Sequence, residues 1–169
     1  MDASSFISAV DCVDIAVLTK AFESNAAEER KALANTTLAD TTALYYAAQK
    51  GHDDVVLLLL EHGADVDEGR KDTGCSPLFA AAQHGHIDIV DSLIARGATV
   101  DLARDNGATP LFIAACFGRL NVVEALLDQG ADVAATTKDP PGFIAETIAR
   151  KQGHETIAEL LRLYGLANK

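Results

Sequence analysis

Through the middle of the chain, apolar residues come as adjacent pairs that recur four positions on. Val55-Val56 is followed by Leu59-Leu60, Ile89-Val90 by Leu93-Ile94, and Val122-Val123 by Leu126-Leu127. That spacing lays one continuous stripe along a helix and predicts three amphipathic helices. A glycine closes each of them: Gly63, Gly97 and Gly130. Ahead of each lies a shorter segment with an alanine pair (Ala47-Ala48, Ala81-Ala82, Ala114-Ala115), ended in turn by Gly51, Gly85 and Gly118. The predicted unit is helix, turn, helix, extended loop.

Three copies align without gaps: "TALYYAAQKGHDDVVLLLLEHGADVD", "SPLFAAAQHGHIDIVDSLIARGATVD" and "TPLFIAACFGRLNVVEALLDQGADVA", starting at Thr42, Ser76 and Thr109. A looser fourth, "IAETIARKQGHETIAELLRLYG", starts at Ile144 after a lengthening around Pro140-Pro141. Each position has a physical task. The Thr42, Ser76 and Thr109 hydroxyls suit helix N-caps. Pro77 and Pro110 follow at the first helical position, where the missing N–H costs nothing. The alanine pairs make a thin face for close helix approach. Gly51, Gly85, Gly118 and Gly153 end the first helices in a conformation open to φ > 0.

These copies resemble the ankyrin repeat family. Its Thr-Pro-Leu-His-x-Ala-Ala signature stands here as "TALYYAA", "SPLFAAA" and "TPLFIAA". Its Gly-His turn stands as "KGH", "HGH", "FGR" and "QGH", and its loop as "GADV", "GATV" and "GADV". The resemblance implies an all-α solenoid of about five repeats, caps included, across a single domain (1–169). "FISAVDCVDIAVLTKAFES" reads as a degenerate first repeat, with Ala9 in the alanine column and Val17, Leu18, Ala21 and Phe22 in the second helix. "NAAEERKALANTTL" is a helix-compatible insertion. The expected divisions are 4–38, 39–70, 71–103, 104–138 and a C-terminal cap, 139–169. Arg162 replaces the apolar residue of Leu60, Ile94 and Leu127, as suits a face that no further repeat covers.

Some positions depart from the family. Tyr45, Phe79 and Phe112 stand where its loop-bridging histidine is expected, so aromatic packing must substitute. The loop asparagine is Asp67, Asp101 and Ala134, which gives no support to asparaginyl hydroxylation there. Leu57 occupies an outward position that is normally charged. Either the insertion covers it or it marks a contact surface on the convex side.

Charge and cysteine content narrow the function. The formal net charge is −11, from 25 acidic and 14 basic side chains. Nucleic acid and anionic membrane surfaces are poor partners for such a chain, whereas a protein with a basic patch would be steered toward it. The longest strongly apolar run, Val55 to Leu60, is far short of the ~20 residues of a membrane span. The N-terminus has no basic region before an apolar segment, so a secretory signal is not expected. Cys12, Cys75 and Cys116 lack paired metal-ligand spacing and suit reduced thiols in the cytoplasm.

No enzyme constellation is visible: no phosphate-binding glycine loop, no G-x-S-x-G, no H-E-x-x-H. His52, His86 and His154 belong to the repeat's turn. His84 stands outside it, but no ligand set completes a His84–His86 metal site. Neither a cofactor nor a metal is expected.

The resemblance implies partner contacts on the concave side, at loop tips and first-helix ends. The loop-tip positions are Asp72, Thr73 and Cys75, then Asp105, Asn106 and Ala108. The helix ends are Gln49 and Lys50, Gln83 and His84, Cys116 and Phe117, and Lys151 and Gln152. Phe117 is the preferred anchor, unless it packs on a neighbouring helix end. Asp72 and Asp105 either meet a basic partner residue or only solubilise. The expected function is a monomeric adaptor or inhibitor that acts by occupancy. The alternative is a structural, self-associating module that uses the convex face around Leu57.

Overall fold

The computed structural model describes residues 2–138 and 142–167. The lengthening at Pro140-Pro141 lies outside the described residues. Five helix pairs follow one another: α1 (Ala3–Asp11) and α2 (Ile15–Glu23), α4 (Ala43–Lys50) and α5 (Asp53–Glu61), α6 (Pro77–His84) and α7 (Ile87–Ala95), α8 (Pro110–Cys116) and α9 (Leu120–Asp128), α10 (Ala145–Lys151) and α11 (Glu155–Ala167). The first helices form one layer and the second helices another, each pair contacting its neighbours. The architecture is an all-α ankyrin-type solenoid.

Local chemistry explains the helix ends. Thr42, Ser76 and Thr109 are buried, and their hydroxyls accept the N–H groups of Tyr45, Phe79 and Phe112 at 3.1, 3.1 and 3.2 Å. Each hydroxyl thereby satisfies an otherwise orphaned helix donor. At the other end the turn glycines adopt φ between 70° and 82°. All six paired alanines are fully buried, and their small side chains allow neighbouring first helices to approach closely. The stripes of α5, α7 and α9 fill the space behind them.

Three lines of bonds join successive repeats. Along the turns, the His86 ring lies over Gly51 and contacts the Gln49 carbonyl (3.3 Å), Arg119 lies over Gly85 and donates to the Gln83 carbonyl (3.1 Å), and His154 lies over Gly118. A Cβ at these glycines would stand 2.7, 2.9 and 2.6 Å from the covering side chain, so glycine is required there for space as well as for φ. Along the loops, Asp67 accepts the N–H and hydroxyl of Thr99 (2.9 and 2.6 Å), and Asp101 accepts the N–H of Asp132. Along the hairpin tips, the N–H groups of Lys71, Asp105 and Lys138 donate to the carbonyls of Asp40, Thr73 and Asn106.

Of the three aromatics at the signature-histidine position, Phe112 is half-buried, and the other two acquire a further partner. Tyr45 and Phe79 are buried. Arg70 lies beside Tyr45, and the Arg104 guanidinium lies 5.8 Å from the Phe79 ring centroid. A cation over an aromatic face thus ties a loop to the preceding first helix.

Val17 lies in the second helix as expected and is 38% exposed, because α2 is the outermost second helix and no earlier repeat covers that side. One expectation about the helices needs correction. Leu57 is 40% exposed, so the insertion does not cover it. The insertion forms α3 (Ala27–Ala34) and docks at the far end of α5. There Asn35 donates to the Gly63 carbonyl (3.0 Å) and accepts the Asp65 N–H (2.7 Å). A two-residue turn, Ala39-Asp40, then joins β1 (Thr37–Leu38) to β2 (Thr41–Thr42) in an antiparallel hairpin. At the C-terminal end, Glu146 and Arg150 occupy positions equivalent to Leu111 and Ala115 and pair at 3.0 Å. Together with exposed Arg162 they place charge on that end face.

Candidate partner-binding face

The first helices stack in register, so one position per repeat forms a ridge at their C-terminal ends. Lys50, His84, Phe117 and Gln152 stand on it, all exposed. Phe117 is 46% exposed and does not bury itself against a neighbouring helix end. The Lys50 ammonium lies 5.4 Å above the Tyr46 ring, whose hydroxyl donates to Asp11 at 2.8 Å. The Lys151 ammonium lies 4.9 Å from the Phe143 ring.

One residue before the ridge Gln49, Gln83 and Cys116 are half-buried, because this position leans toward the next helix, whereas Lys151, on the last first helix, is exposed. Gln49 and Gln83 give their backbone carbonyls to the turn bonds described above. The Cys116 thiol receives a long contact from the Gln152 amide, 4.0 Å. Burial pushes the Cys116 thiol up from its ordinary range, which makes it a poor nucleophile near neutral pH. The His84 ring stacks on His86 with centroids 5.9 Å apart. Burial lowers the His84 pKa, helped by the nearby His86 and Arg119. Among the described residues, no group of three or more His, Cys, Asp or Glu is placed to hold a metal.

The loop tips divide. Cys75 and Ala108, expected as contacts, are 6% and 2% exposed. The reason is the hairpin: Arg70 pairs with Cys75 in an antiparallel bridge, and Arg104 takes a backbone bond to Ala108, which turns both small side chains inward. Asn106 is half-buried and spends its side-chain oxygen on the Ala108 N–H at 3.1 Å. Thr73 is half-buried as well. Asp72 is exposed but engaged by Arg70 in two bonds of 2.7 and 2.9 Å. The guanidinium holds its carboxyl below the usual carboxylate range. Asp105 keeps an exposed carboxylate, with the Lys138 ammonium donating to its backbone carbonyl at 2.9 Å.

Charge is divided between the two helix layers. On the second helices stand Asp53, Asp54 and Glu61 (α5), Asp88 and Asp91 (α7), Glu124 and Asp128 (α9), and Glu155 and Glu159 (α11), against Arg162 alone. The first helices of the same repeats carry Lys50, Arg150 and Lys151 against Glu146 alone. The chain's net acidity thus belongs to the face opposite the ridge.

A feature missed by sequence reasoning lies at the N-terminal end of this face. Ile7, Leu38, Ala39, Thr41 and Tyr46 line a largely apolar recess of about 230 Å³. The available signal was Tyr46, an aromatic in the column that elsewhere holds Ala80 and Ile113. The recess itself arises where α1 meets the hairpin and α4, which follow each other directly but are distant from α1 in sequence.

The ankyrin repeat model of three copies matches residues 67–137 and 101–168, and the single ankyrin repeat model matches residues 40–71. The chain belongs to the ankyrin repeat family, whose repeats serve generally as protein–protein interaction modules. No curated protein matches it. Among the described residues no helix is long and apolar enough to cross a membrane.

Proposed function

We propose that this protein binds a partner protein on the concave face made by the first helices and hairpin tips, and acts by occupancy as an adaptor or inhibitor in the cytoplasm. The observation that carries this reading is Phe117. It is a large apolar side chain, 46% exposed, on a ridge whose other members are polar. Exposed aromatics set among polar neighbours are the side chains that anchor interfaces. The contact set is Gln49, Lys50, Gln83, His84, Asp105, Cys116, Phe117, Lys151 and Gln152, with Asp72 and Thr73 at its rim. The division into repeats at 39–70, 71–103 and 104–138, with caps on either side, is part of the same proposal. So is the monomeric state.

Affinity capture from a cell lysate tests it, comparing the wild type with a Phe117→Asp variant of unchanged melting temperature. A protein retained by the first and lost by the second supports the concave reading, and equal capture by both overturns it. The self-associating alternative rests on the 40% exposure of Leu57. It places two copies of a strongly acidic layer face to face, which like-charge repulsion opposes.

A further inference from the structure

The recess and the division of charge together say what kind of segment fits this face. The recess is apolar, and Lys50 stands at its edge over Tyr46. On the next two first helices the Tyr46 position is filled by Ala80 and Ile113, 1% and 9% exposed. No large side chain from this column therefore stands between the recess and Phe117. Lys50 stands at one end of the ridge, and Lys151 beside Gln152 at the other. Of the carboxylates near this face, Asp11 accepts the Tyr46 hydroxyl, Glu146 is held by Arg150 and Asp72 by Arg70, while Asp40 and Asp105 stay exposed at the hairpin tips, Asp105 with the Lys138 ammonium on its backbone carbonyl.

We propose that this groove takes an extended, acidic segment of a partner protein, with one apolar side chain in the recess and a second against Phe117. The proposal rests on the concave reading and replaces the expectation of a basic patch on the partner, which followed from net charge alone. The acidic second-helix layer repels such a segment from the rest of the surface, so the charge pattern discriminates between faces as well as attracting. The span also sets a spacing. Neighbouring helix axes lie ~8–10 Å apart, so α4 to α8 is ~16–20 Å. At ~3.3 Å per extended residue the two apolar anchors are about five or six residues apart.

The test is selection of displayed random peptides, about 16 residues long so that an extended chain covers the groove, on the full-length protein. It is run in parallel on Phe117→Ser and on the Lys50→Glu, Lys151→Glu double variant, each with a wild-type melting temperature. Should the double variant melt lower, Lys50→Gln with Lys151→Gln takes its place. The expected pool is net negative, with two apolar residues at the stated spacing. A synthetic member, followed by fluorescence anisotropy, loses about tenfold affinity for the double variant and weakens between about 50 and 300 mM salt. A neutral or basic pool that is still lost with Phe117→Ser overturns the acidic chemistry and leaves the concave reading standing. A pool indifferent to both variants overturns both. Absence of enrichment on the wild type overturns the acidic-segment proposal.

Discussion

Val13 occupies the position that glycine fills in the other four turns, and replacing it tests the logic of the turn column. The Asp14 N–H donates to the Ala9 carbonyl at 2.9 Å, as the N–H groups of His52, His86, Arg119 and His154 donate to Ala47, Ala81, Ala114 and Ala149. The turn is therefore the same one, but Val13 enters it at φ 54° as a β-branched residue. Left-handed backbone costs a residue with a Cβ about 1–2 kcal/mol. Its side chain also stands where the next turn's ring should lie. His86 reaches the Gln49 carbonyl over Gly51, whereas the buried Nε2 of His52 has no partner. Val13→Gly relieves the strain and opens the way for His52 to reach the Asp11 carbonyl, a bond of about 0.5–1.5 kcal/mol. The greater freedom of glycine in the unfolded chain removes about 0.4–1 kcal/mol. Val13→Ala is the reference, because it removes the same branched atoms and keeps the strain. Val13→Gly should exceed Val13→Ala by about 1.5 kcal/mol, or about 4 °C in melting temperature for a chain of this size. Urea denaturation measures the difference. His52→Ala should also cost more in the Val13→Gly background than in the wild type. A Val13→Gly variant less stable than Val13→Ala, the order usual elsewhere, would refute this account of the turn.

Three further outcomes follow from the same contacts. Gly118→Ala and Gly153→Ala both place a side chain at positive φ, but only the first drives a Cβ into a ring, that of His154. Gly118→Ala should melt lower, with an excess cost of about 1–3 kcal/mol. Asp67→Ala removes both bonds to Thr99 and should cost about 1–2 kcal/mol by urea denaturation; Asp67→Asn, which still accepts the Thr99 N–H, should cost less. Because the folded state lowers the His84 pKa from its ordinary 6.5, the unfolded chain takes up a proton there first as pH falls. This contribution to stability is complete above about pH 6.5 and shrinks below it. His84→Gln should flatten the acid side of the urea-midpoint profile, and an unchanged slope would refute the assignment.

The repeating features were legible because each rests on local chemistry. A hydroxyl before a helix, an alanine pair and a glycine at a left-handed turn act within a few residues of themselves, so spacing alone exposes them. What depends on a neighbouring repeat was less visible. Cys75 and Ala108 look like loop-tip contacts in sequence, yet backbone pairing within the hairpin turns them inward. The cation–aromatic contact of Arg104 with Phe79 joins elements that are only conditionally close. Net charge does not describe either face by itself, since one number sums two helix layers of opposite character. The bearing of His86 on Gly51 has a sequence signature, the Gly-His pair, but the pair does not reveal that the histidine serves the turn before its own.

The missing seal between the first two turns has a mechanical consequence. Drawn out by its ends, the molecule is a row of links, and three of its four junctions are closed by a side chain seated on a glycine. The junction at Val13 is the weakest link, so tension on the N-terminus should peel α1 and α2 away first. Ile7, on α1, is a wall of the recess. Such a pull would open the recess while leaving Phe117 and the later repeats in place, so that half of the proposed grip is released by traction alone.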